Sequence, residues 1–308
     1  MITAVASSRA GEHVVEFDAL GAHWRITTDT ALSPEQRAAV VDRVERFDAT
    51  WSRFRDDSVV ARLARLPLPR SVPFPAEATT LFDLYDALGE VTRGAVDPLV
   101  GRDLELLGYD AQYRLTPDPV GLAQRGRRAR WCHDVVRDGR TLTVGAPVVL
   151  DVGAVGKGLL VDLLVDLLAP LDRGPGERGH VVVDAGGDLR HRGPGRRRVG
   201  LEDPADPTRV LGVVELRDDA ALCASAVNRR AWGEGLHHVL DGRTGRPVRD
   251  IVATWAVAGT AALADGLATA AFSTAPATLT ARFGGHVVRL RRDGALETDP
   301  GFDGELFT

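Results

Sequence analysis

The sequence predicts a mixed α+β fold, with antiparallel strands and helices in irregular order. Short apolar runs separated by a turn, as in residues 13–28, are typical of paired strands. Apolar residues at helical spacing, as in residues 76–92, are typical of helices with one buried face. The two patterns alternate without the regular strand–helix–strand repeat of a parallel sheet, which favours the α+β class.

The first third of the chain predicts a hairpin followed by helices. Two strand patterns flank a turn at residues 19–22. Ser33 then supplies a helix N-cap, and Pro34 suits the first helical position. The predicted helices here begin at residue 34, at 59 and at 76, and the connections are a loop at 51–58 and a Pro-rich segment at 66–75.

The rest of the chain predicts mostly strands. Residues 110–131 and 190–198 are polar and rich in arginine, so we interpret both as surface loops. The expected helices are 159–168 and 260–273, with a loop at 172–179. The expected strands are 133–137, 141–150, 180–183, 210–216, 236–240, 254–258 and 287–290.

Composition excludes several classes of protein. Of the 308 residues, 44% are hydrophobic and 26% charged, and the formal net charge of −5 does not suggest a nucleic-acid-binding surface. No apolar stretch approaches the roughly 18 residues of a membrane span. Cys132 and Cys223 do not form a disulfide framework. We therefore expect one domain over residues 1–308, located in the cytoplasm.

A glycine-rich segment, Asp151-Val-Gly-Ala-Val-Gly-Lys157-Gly158, contains the one lysine of the chain. All other cationic side chains are arginine, which is broad and planar, whereas lysine is a compact point charge. Glycines allow close approach of a ligand, and the helix predicted after the segment has an N-terminus that attracts anions. The segment is therefore a candidate anion site, although a tight strand-to-helix turn explains the glycines equally well.

Asp265 and Thr269 lie four residues apart in the Ala-rich helix and therefore share one face. A carboxylate among alanines and leucines is costly to bury unless it is paired or binds a cation. A carboxylate and a hydroxyl one turn apart offer two oxygens suited to Mg²⁺. The alternative is that Asp265 is exposed on the polar side of the helix.

His237 and His238 precede a turn, Asp241-Gly242-Arg-Thr-Gly. Adjacent residues of a strand point to opposite faces, so only one of the two histidines can face a given pocket. That histidine could act as a general base near neutral pH. The alternative is a histidine that only packs in the core or lies at the end of a hairpin. The segment Asp184-Ala-Gly-Gly-Asp188 after a buried strand is interpreted as a turn.

Seven segments, in this order, resemble the ApbE-type flavin transferases, a family of FAD:protein FMN transferases. The resemblance covers about residues 14–292. It implies an ApbE-like, T-fold-related fold of mixed sheets and packed helices, with the active site between two sub-lobes. The segments are ALGAHWRITT, WSRFRDDSVVARL, GAVDPLVGRDLELLGYD, DVGAVGKGLLVD, VVVDAGGDL, CASAVNRRAWGEGLHHVLDGRTGRPV and AALADGLATAAF.

The resemblance also implies an activity and its site. FAD is bound with Mg²⁺ at its pyrophosphate, FMN is transferred to a Ser or Thr hydroxyl of an acceptor flavoprotein, and AMP leaves. His238 matches the histidine of the family's turn motif and is the candidate base for the acceptor hydroxyl. The implied metal ligands are Asp265, Thr269 and the backbone oxygen of Ala154. The implied FAD contacts are Leu20, Phe54, Ala95, Val96, Asp97, Asp151, Lys157 and Val239.

Two departures from the family pattern stand out. Gly242 replaces the usual proline, which we expect to loosen the turn after Asp241 and to admit water. Leu20 replaces the more common methionine. The leading interpretation is a Mg²⁺-dependent flavin transferase. Two alternatives stay open: a pyrophosphatase that hydrolyses FAD to FMN and AMP, and a protein that binds FAD without turnover.

Overall fold

The computed structural model describes residues 2–4, 12–169 and 179–307. The helices in these ranges are α1 Pro34–Trp51, α2 Val59–Arg65, α3 Ala78–Val91, α4 Gly101–Leu106, α5 Pro119–Gln124, α6 Trp131–Asp134, α7 Gly156–Leu168, α8 Ala261–Ala270 and α9 Pro276–Phe283.

The strands follow the chain in the same way. They are β1 Ile2–Ala4, β2 His13–Ala19, β3 Ala22–Thr28, β4 Arg70–Pro73, β5 Val135–Asp138, β6 Thr141–Val144, β7 Val181–Asp184, β8 Asp188–Arg192, β9 Arg196–Asp203, β10 Asp206–Arg217, β11 Ala220–Ala226, β12 Ala231–Trp232, β13 Leu236–His237, β14 Leu240–Asp241, β15 Arg246–Pro247, β16 Ile251–Ala258, β17 His286–Arg291, β18 Leu296–Thr298 and β19 Glu305–Leu306.

The chain divides into two compact units, each assembled from separate segments. The sheet unit contains residues 1–45, 156–226 and 251–308, and the aromatic unit contains residues 46–155 and 227–250. The single domain expected over residues 1–308 stays a prediction. One boundary falls between Val155 and Gly156, inside the glycine-rich segment.

The sheet unit is built on an antiparallel sheet. Its order within the described residues is β18-β17-β16-β11-β8-β7-β3-β2. A smaller antiparallel sheet, β1-β9-β10-β19, packs on one face through a shared core that includes Leu201, Leu216, Leu222 and Trp255. On the other face α8 contacts β11 and β16, and α7 contacts β7 and β8. The mixed α+β prediction is confirmed.

The aromatic unit has a core of rings. Trp51 stacks on Phe74 with centroids 5.1 Å apart, and both rings meet the edge of Phe82. A second cluster contains Tyr109 and Trp232, whose rings also stack. The sheet β4-β6-β5 and the short pairs β12-β13 and β14-β15 complete this unit in its described residues.

The hairpin and the capped helix predicted near the start of the chain are confirmed. The hairpin strands β2 and β3 pair from His13↔Thr28 to Ala19↔Ala22. The hydroxyl of Ser33 accepts the N–H of Gln36, and the side chain of Gln36 accepts the N–H of Ser33, which is the reciprocal capping box of a helix start.

The interpretation of residues 190–198 as a basic loop is wrong. This segment continues β8 to Arg192 and begins β9 at Arg196. Its arginines fit in strands because acidic partners compensate their charge, and Arg190 donates to the carboxylate of Asp162 at 2.7 Å. The Pro-rich connection likewise contains a strand, β4. In the 110–131 segment, α5 interrupts the predicted loop, while the loop predicted at 172–179 lies outside the described residues except for Gly179.

Of the helices in the described ranges, none combines the length and the apolar character needed to cross a bilayer.

Candidate active site

In the sheet unit, α7 and α8 begin in close contact at Gly158. A Cβ atom at this position would lie 2.2 Å from the carbonyl oxygen of Ala261 and 2.8 Å from the Cβ of Asp265. The N–H of Gly158 donates to the Oδ2 of Asp265 at 3.1 Å. Helix packing therefore accounts for Gly158, which the sequence had suggested for the approach of a ligand.

Asp162 makes the reverse connection, from α7 to the start of α8. Its two carboxylate oxygens accept the N–H groups of Ala261 and Ala262 at 2.8 and 2.9 Å. Arg190 donates to the same carboxylate. The first N–H groups of a helix have no partner within the helix, and here each helix supplies a carboxylate to the start of the other. These reciprocal caps fix Asp265 relative to Lys157.

Asp265 is buried, with 3% of its surface exposed, and Thr269 is half-buried one turn later on the same helix. The alternative that Asp265 lies on an exposed face is therefore wrong. Across the described ranges, no three His, Cys, Asp or Glu side chains form a metal cluster. A cation at α8 would instead depend on one carboxylate, a hydroxyl and backbone oxygens, a set of hard donors that fits Mg²⁺.

Lys157 extends from the first turn of α7 toward the sheet. Its Nζ lies 3.0 Å from the Oδ2 of Asp188 and donates to the carbonyl oxygen of Ala185 at 3.3 Å. Burial opposes the charged form, but the carboxylates of Asp188 and Asp265 outweigh it and raise the pKa of Lys157. The raised pKa keeps the ammonium group charged, and the side chain as a whole is 26% exposed.

Leu20 lies at the tip of the β2–β3 hairpin, also in the sheet unit. Leu20 and Gly21 have φ values of 51° and 68°, the signature of a two-residue type I′ turn. Asn or Gly usually occupies the first of these positions, because a left-handed conformation is unfavourable for leucine. A half-buried leucine retained at this cost fits its predicted contact with a ligand.

In the aromatic unit, both carboxylate oxygens of Asp151 accept hydrogen bonds. It accepts the Nε–H of Arg53 at 2.5 Å and the N–H of Gly153 at 2.8 Å. Burial alone would raise the pKa of Asp151, but the adjacent Arg53 guanidinium outweighs burial and lowers it. The structure therefore gives Asp151 an internal role, as the anchor of Arg53 and of the turn after it.

Phe54 belongs to an aromatic surface larger than the sequence predicted. Its ring lies parallel to that of Tyr113, with centroids 5.3 Å apart, and the guanidinium of Arg53 lies 4.2 Å from its centroid. Tyr109 meets Phe54 edge-on at 5.4 Å. Tyr113 is 53% exposed and extends this surface to solvent.

The two histidines have different surroundings. His237 is buried and its Nε2 lies 2.9 Å from the carbonyl oxygen of Val248. His238 is half-buried, and its Nδ1 has no hydrogen-bond partner among the described residues. Burial, followed by the positive charge of Arg230, lowers the pKa of His238 to about 3. His238 is therefore neutral at pH 7.

The expectation that Gly242 loosens its turn is wrong. Its N–H donates to the carbonyl oxygen of Ala95 at 2.7 Å, and its own carbonyl oxygen accepts from Arg128 at 2.7 Å. A Cβ atom at this position would lie 2.6 Å from the carbonyl oxygen of Gly94 and 2.7 Å from the Cβ of Asp97. The turn is held tightly against residues 94–97, and glycine is the residue that fits.

Other predicted contacts in this unit also make internal bonds. The N–H of Val96 donates to the hydroxyl of Thr92, and the carboxylate of Asp97 accepts the N–H groups of Leu99 and Trp131. Val239 is 7% exposed and its carbonyl oxygen accepts from Val248. Ala154 lies in a turn closed by a bond from the N–H of Val155 to the carbonyl oxygen of Val152.

Sequence reasoning missed three residues that shape these sites: Asp162, Asp188 and Arg53. Asp162 carried a usable signal, since it is a carboxylate within the apolar run LLVDLLVDLL. Asp188 was assigned only to a turn. Arg53 carried no signal, because arginines are abundant in this chain and its partner Asp151 is 98 residues away.

Comparisons with known proteins agree on one family for this chain. A model of the ApbE family matches residues 20–283. A relative from Klebsiella pneumoniae, named FAD:protein FMN transferase, is 27% identical over 283 residues, which cover 86% of this chain and 79% of the relative. A relative of the same name from Vibrio cholerae is 28% identical and covers 74% of this chain and 70% of its own length.

Solved structures agree in fold. The ApbE protein from Thermotoga maritima has a TM-score of 0.81 and 26% sequence identity, and the match covers 94% of this chain and 97% of that one. The flavin transferase ApbE from Vibrio cholerae has a TM-score of 0.78 at 21% identity, covering 94% and 98% of the two chains.

Proposed function

The chain belongs to the ApbE family, and from this we propose that it is an FAD:protein FMN transferase. The hydroxyl oxygen of a Ser or Thr in an acceptor flavoprotein attacks the phosphorus on the FMN side of the FAD diphosphate. A new P–O bond forms to the acceptor, the bond between the two phosphates breaks, and AMP leaves. Such transfers depend mainly on positioning and on neutralisation of charge.

The observation that supports this most strongly is the α7–α8 junction in the sheet unit. It presents the charged ammonium group of Lys157, on a partly exposed side chain, and the buried carboxylate of Asp265, fixed by reciprocal caps. A diphosphate is an anion rich in acceptor oxygens, and a compact ammonium group suits it. This arrangement explains why one lysine persists in a chain that otherwise uses arginine.

We propose Asp265, Thr269 and the backbone oxygen of Ala154 as the ligands of Mg²⁺. When bound, the ion would neutralise the diphosphate and the leaving AMP. The carboxylate of Asp265 is buried and caps the start of α7, and the hydroxyl of Thr269 lies one turn away. Both supply the hard oxygens that this ion requires.

We propose His238 as the base that takes the proton from the acceptor hydroxyl. A neutral imidazole can accept that proton, and the lowered pKa keeps it neutral at pH 7. A pKa of about 3 would make it a weak base.

The alternative of FAD hydrolysis would use the same pocket, but its second support is lost. The turn at Gly242 was expected to be loose and to admit water, whereas the structure holds that residue by two hydrogen bonds of 2.7 Å. Transfer to a protein acceptor is therefore the function we propose.

The test is incubation of the protein with FAD, Mg²⁺ and a flavinylatable acceptor domain, followed by mass spectrometry of the acceptor. Asp265→Ala should abolish Mg²⁺-dependent transfer and retain much of the FAD binding. His238→Ala should slow transfer by about 10²–10⁴-fold. An unchanged rate in the histidine variant would remove His238 from the role of base.

A further inference from the structure

We propose that Asp188 is a positioning residue, which holds the ammonium group of Lys157 in place to bind the diphosphate of FAD. The inference rests on the proposed function, because it takes FAD as the ligand of Lys157. It assigns a role to a residue that sequence reasoning placed only in a turn.

The burial of Asp188 is the first step of the argument. Asp188 is 1% exposed, and neither carboxylate oxygen has a hydrogen bond within the described ranges. An ionised carboxylate in such a place is costly unless a cation compensates it. The Nζ of Lys157 lies 3.0 Å from one of its oxygens and supplies that compensation.

The backbone around Asp188 makes the contact rigid. Asp188 begins β8, an interior strand that pairs with β7 and β11. The N–H of Ala185 donates to the carbonyl oxygen of Asp188 at 2.8 Å and closes the 185–188 turn. Lys157 donates to the carbonyl oxygen of Ala185, so both its hydrogen bond and its ion pair are made with one closed turn.

The geometry leaves part of the ammonium group available. Lysine carries three N–H donors, of which one is donated to the carbonyl oxygen of Ala185, while the contact with Asp188 is an ion pair of 3.0 Å. The side chain is 26% exposed, whereas Asp188 is sealed behind it. Asp188 therefore fixes the ammonium group from the buried side, and N–H donors remain for a ligand.

A purely structural ion pair would show the same contact, so the test must separate stability from ligand binding. Four proteins suffice: the wild type, D188N, K157M and K157M/D188N. The melting temperature reports stability, and titration calorimetry with FAD in the presence of Mg²⁺ gives the Kd. Glu297→Gln is the matched control, because it breaks an ion pair with Arg289 at the far strands β17 and β18 of the same unit.

K157M leaves Asp188 buried without its cation, so its melting temperature should fall by about 10 °C. D188N should raise the Kd for FAD by about tenfold or more, comparable to the loss of a contact that supports a ligating side chain at a metal site. In the double variant the melting temperature should recover toward the wild type. Its Kd should equal that of K157M within about twofold, because Asp188 acts through Lys157.

A Kd for D188N equal to that of the wild type would overturn the proposal, as would effects on Kd that multiply in the double variant. Glu297→Gln should leave the Kd unchanged, and a Kd raised as much as in D188N would show a general loss of structure and overturn it too. A wild type that binds no FAD would overturn the proposed function and this inference together. Normal binding and FMN transfer by the wild type, with an unaffected D188N, would overturn the inference alone.

Discussion

Leu20 has a left-handed backbone conformation, with φ of 51°, at the first position of a type I′ turn. A left-handed conformation costs an L-residue about 1–2 kcal/mol, and asparagine tolerates it better than leucine. Leu20→Asn should therefore raise the free energy of unfolding by about 1 kcal/mol and, if the side chain contacts FAD, weaken FAD binding. Urea unfolding and FAD titration measure the two effects. A more stable variant with unchanged affinity would remove Leu20 from the FAD site.

Gly242 gives a prediction opposite to the family pattern. Gly242→Pro restores the residue common in the family, yet proline cannot donate to the carbonyl oxygen of Ala95, and its Cβ would clash with the carbonyl oxygen of Gly94. We expect a loss of about 3 kcal/mol in the free energy of unfolding. Chemical unfolding measures it, and a variant as stable as the wild type would show that the turn is not packed as described.

The surroundings of His238 lead to a prediction about the pH dependence of kcat/KM. Its folded-state pKa of about 3 lies below the ordinary value of 6.5, so the neutral form persists as the pH falls through 6.5. The pH dependence of kcat/KM reports the pKa values of the free enzyme. We therefore expect no loss of kcat/KM centred near pH 6.5 between pH 8 and pH 5. A decline to half near pH 6.5 would show that His238 is exposed and titrates normally.

Only some residues of the candidate site could be predicted from the sequence. Asp265 and His238 could be chosen because a carboxylate in an apolar helix and a histidine before a turn carry local signals. Asp188 and Arg53 could not be predicted, because contacts between distant segments of the chain determine their roles. Asp188 contacts Lys157 where β8 packs on α7, and Arg53 contacts Asp151. Gly242 was misinterpreted for the same reason, since its neighbours are residues 94–97.

At the scale of elements, the reciprocal caps between α7 and α8 are the main structural device. Asp162→Asn would place an amide against N–H groups of α8 and leave Arg190 without its buried carboxylate. We expect a loss of about 3 kcal/mol in the free energy of unfolding. Asp166→Asn on the same helix is the control, because Asp166 is 61% exposed and should cost below about 1 kcal/mol. Equal losses in both variants would contradict the capping role.

Elements with local signals were predicted well. The hairpin β2–β3 and the capped helix α1 follow from a turn and from Ser33-Pro34. The strand β11, Ala-Ala-Leu-Cys-Ala-Ser-Ala, was missed because alanine has low strand propensity, although the strand lies in the sheet interior between β8 and β16. Tertiary pairing overrides local preference there.

At the scale of the whole molecule, the predicted site residues come from both compact units. Leu20, Lys157, Asp265 and Thr269 belong to the sheet unit, and Phe54, Asp151 and His238 to the aromatic unit. Membership of the ApbE family supports the proposed function, and the part of each of these residues in it stays a prediction. The sequence alone could predict that function only through motifs in a fixed order, because the chemistry of each motif taken alone left alternatives.

The most direct test of the central claim is the intact mass of an acceptor domain after incubation with the protein, FAD and Mg²⁺. We expect the acceptor to gain one FMN, with one AMP released for each FMN transferred, and a chelator to prevent both. An acceptor of unchanged mass, or AMP released equally fast without acceptor, would contradict FMN transfer as the function of this protein.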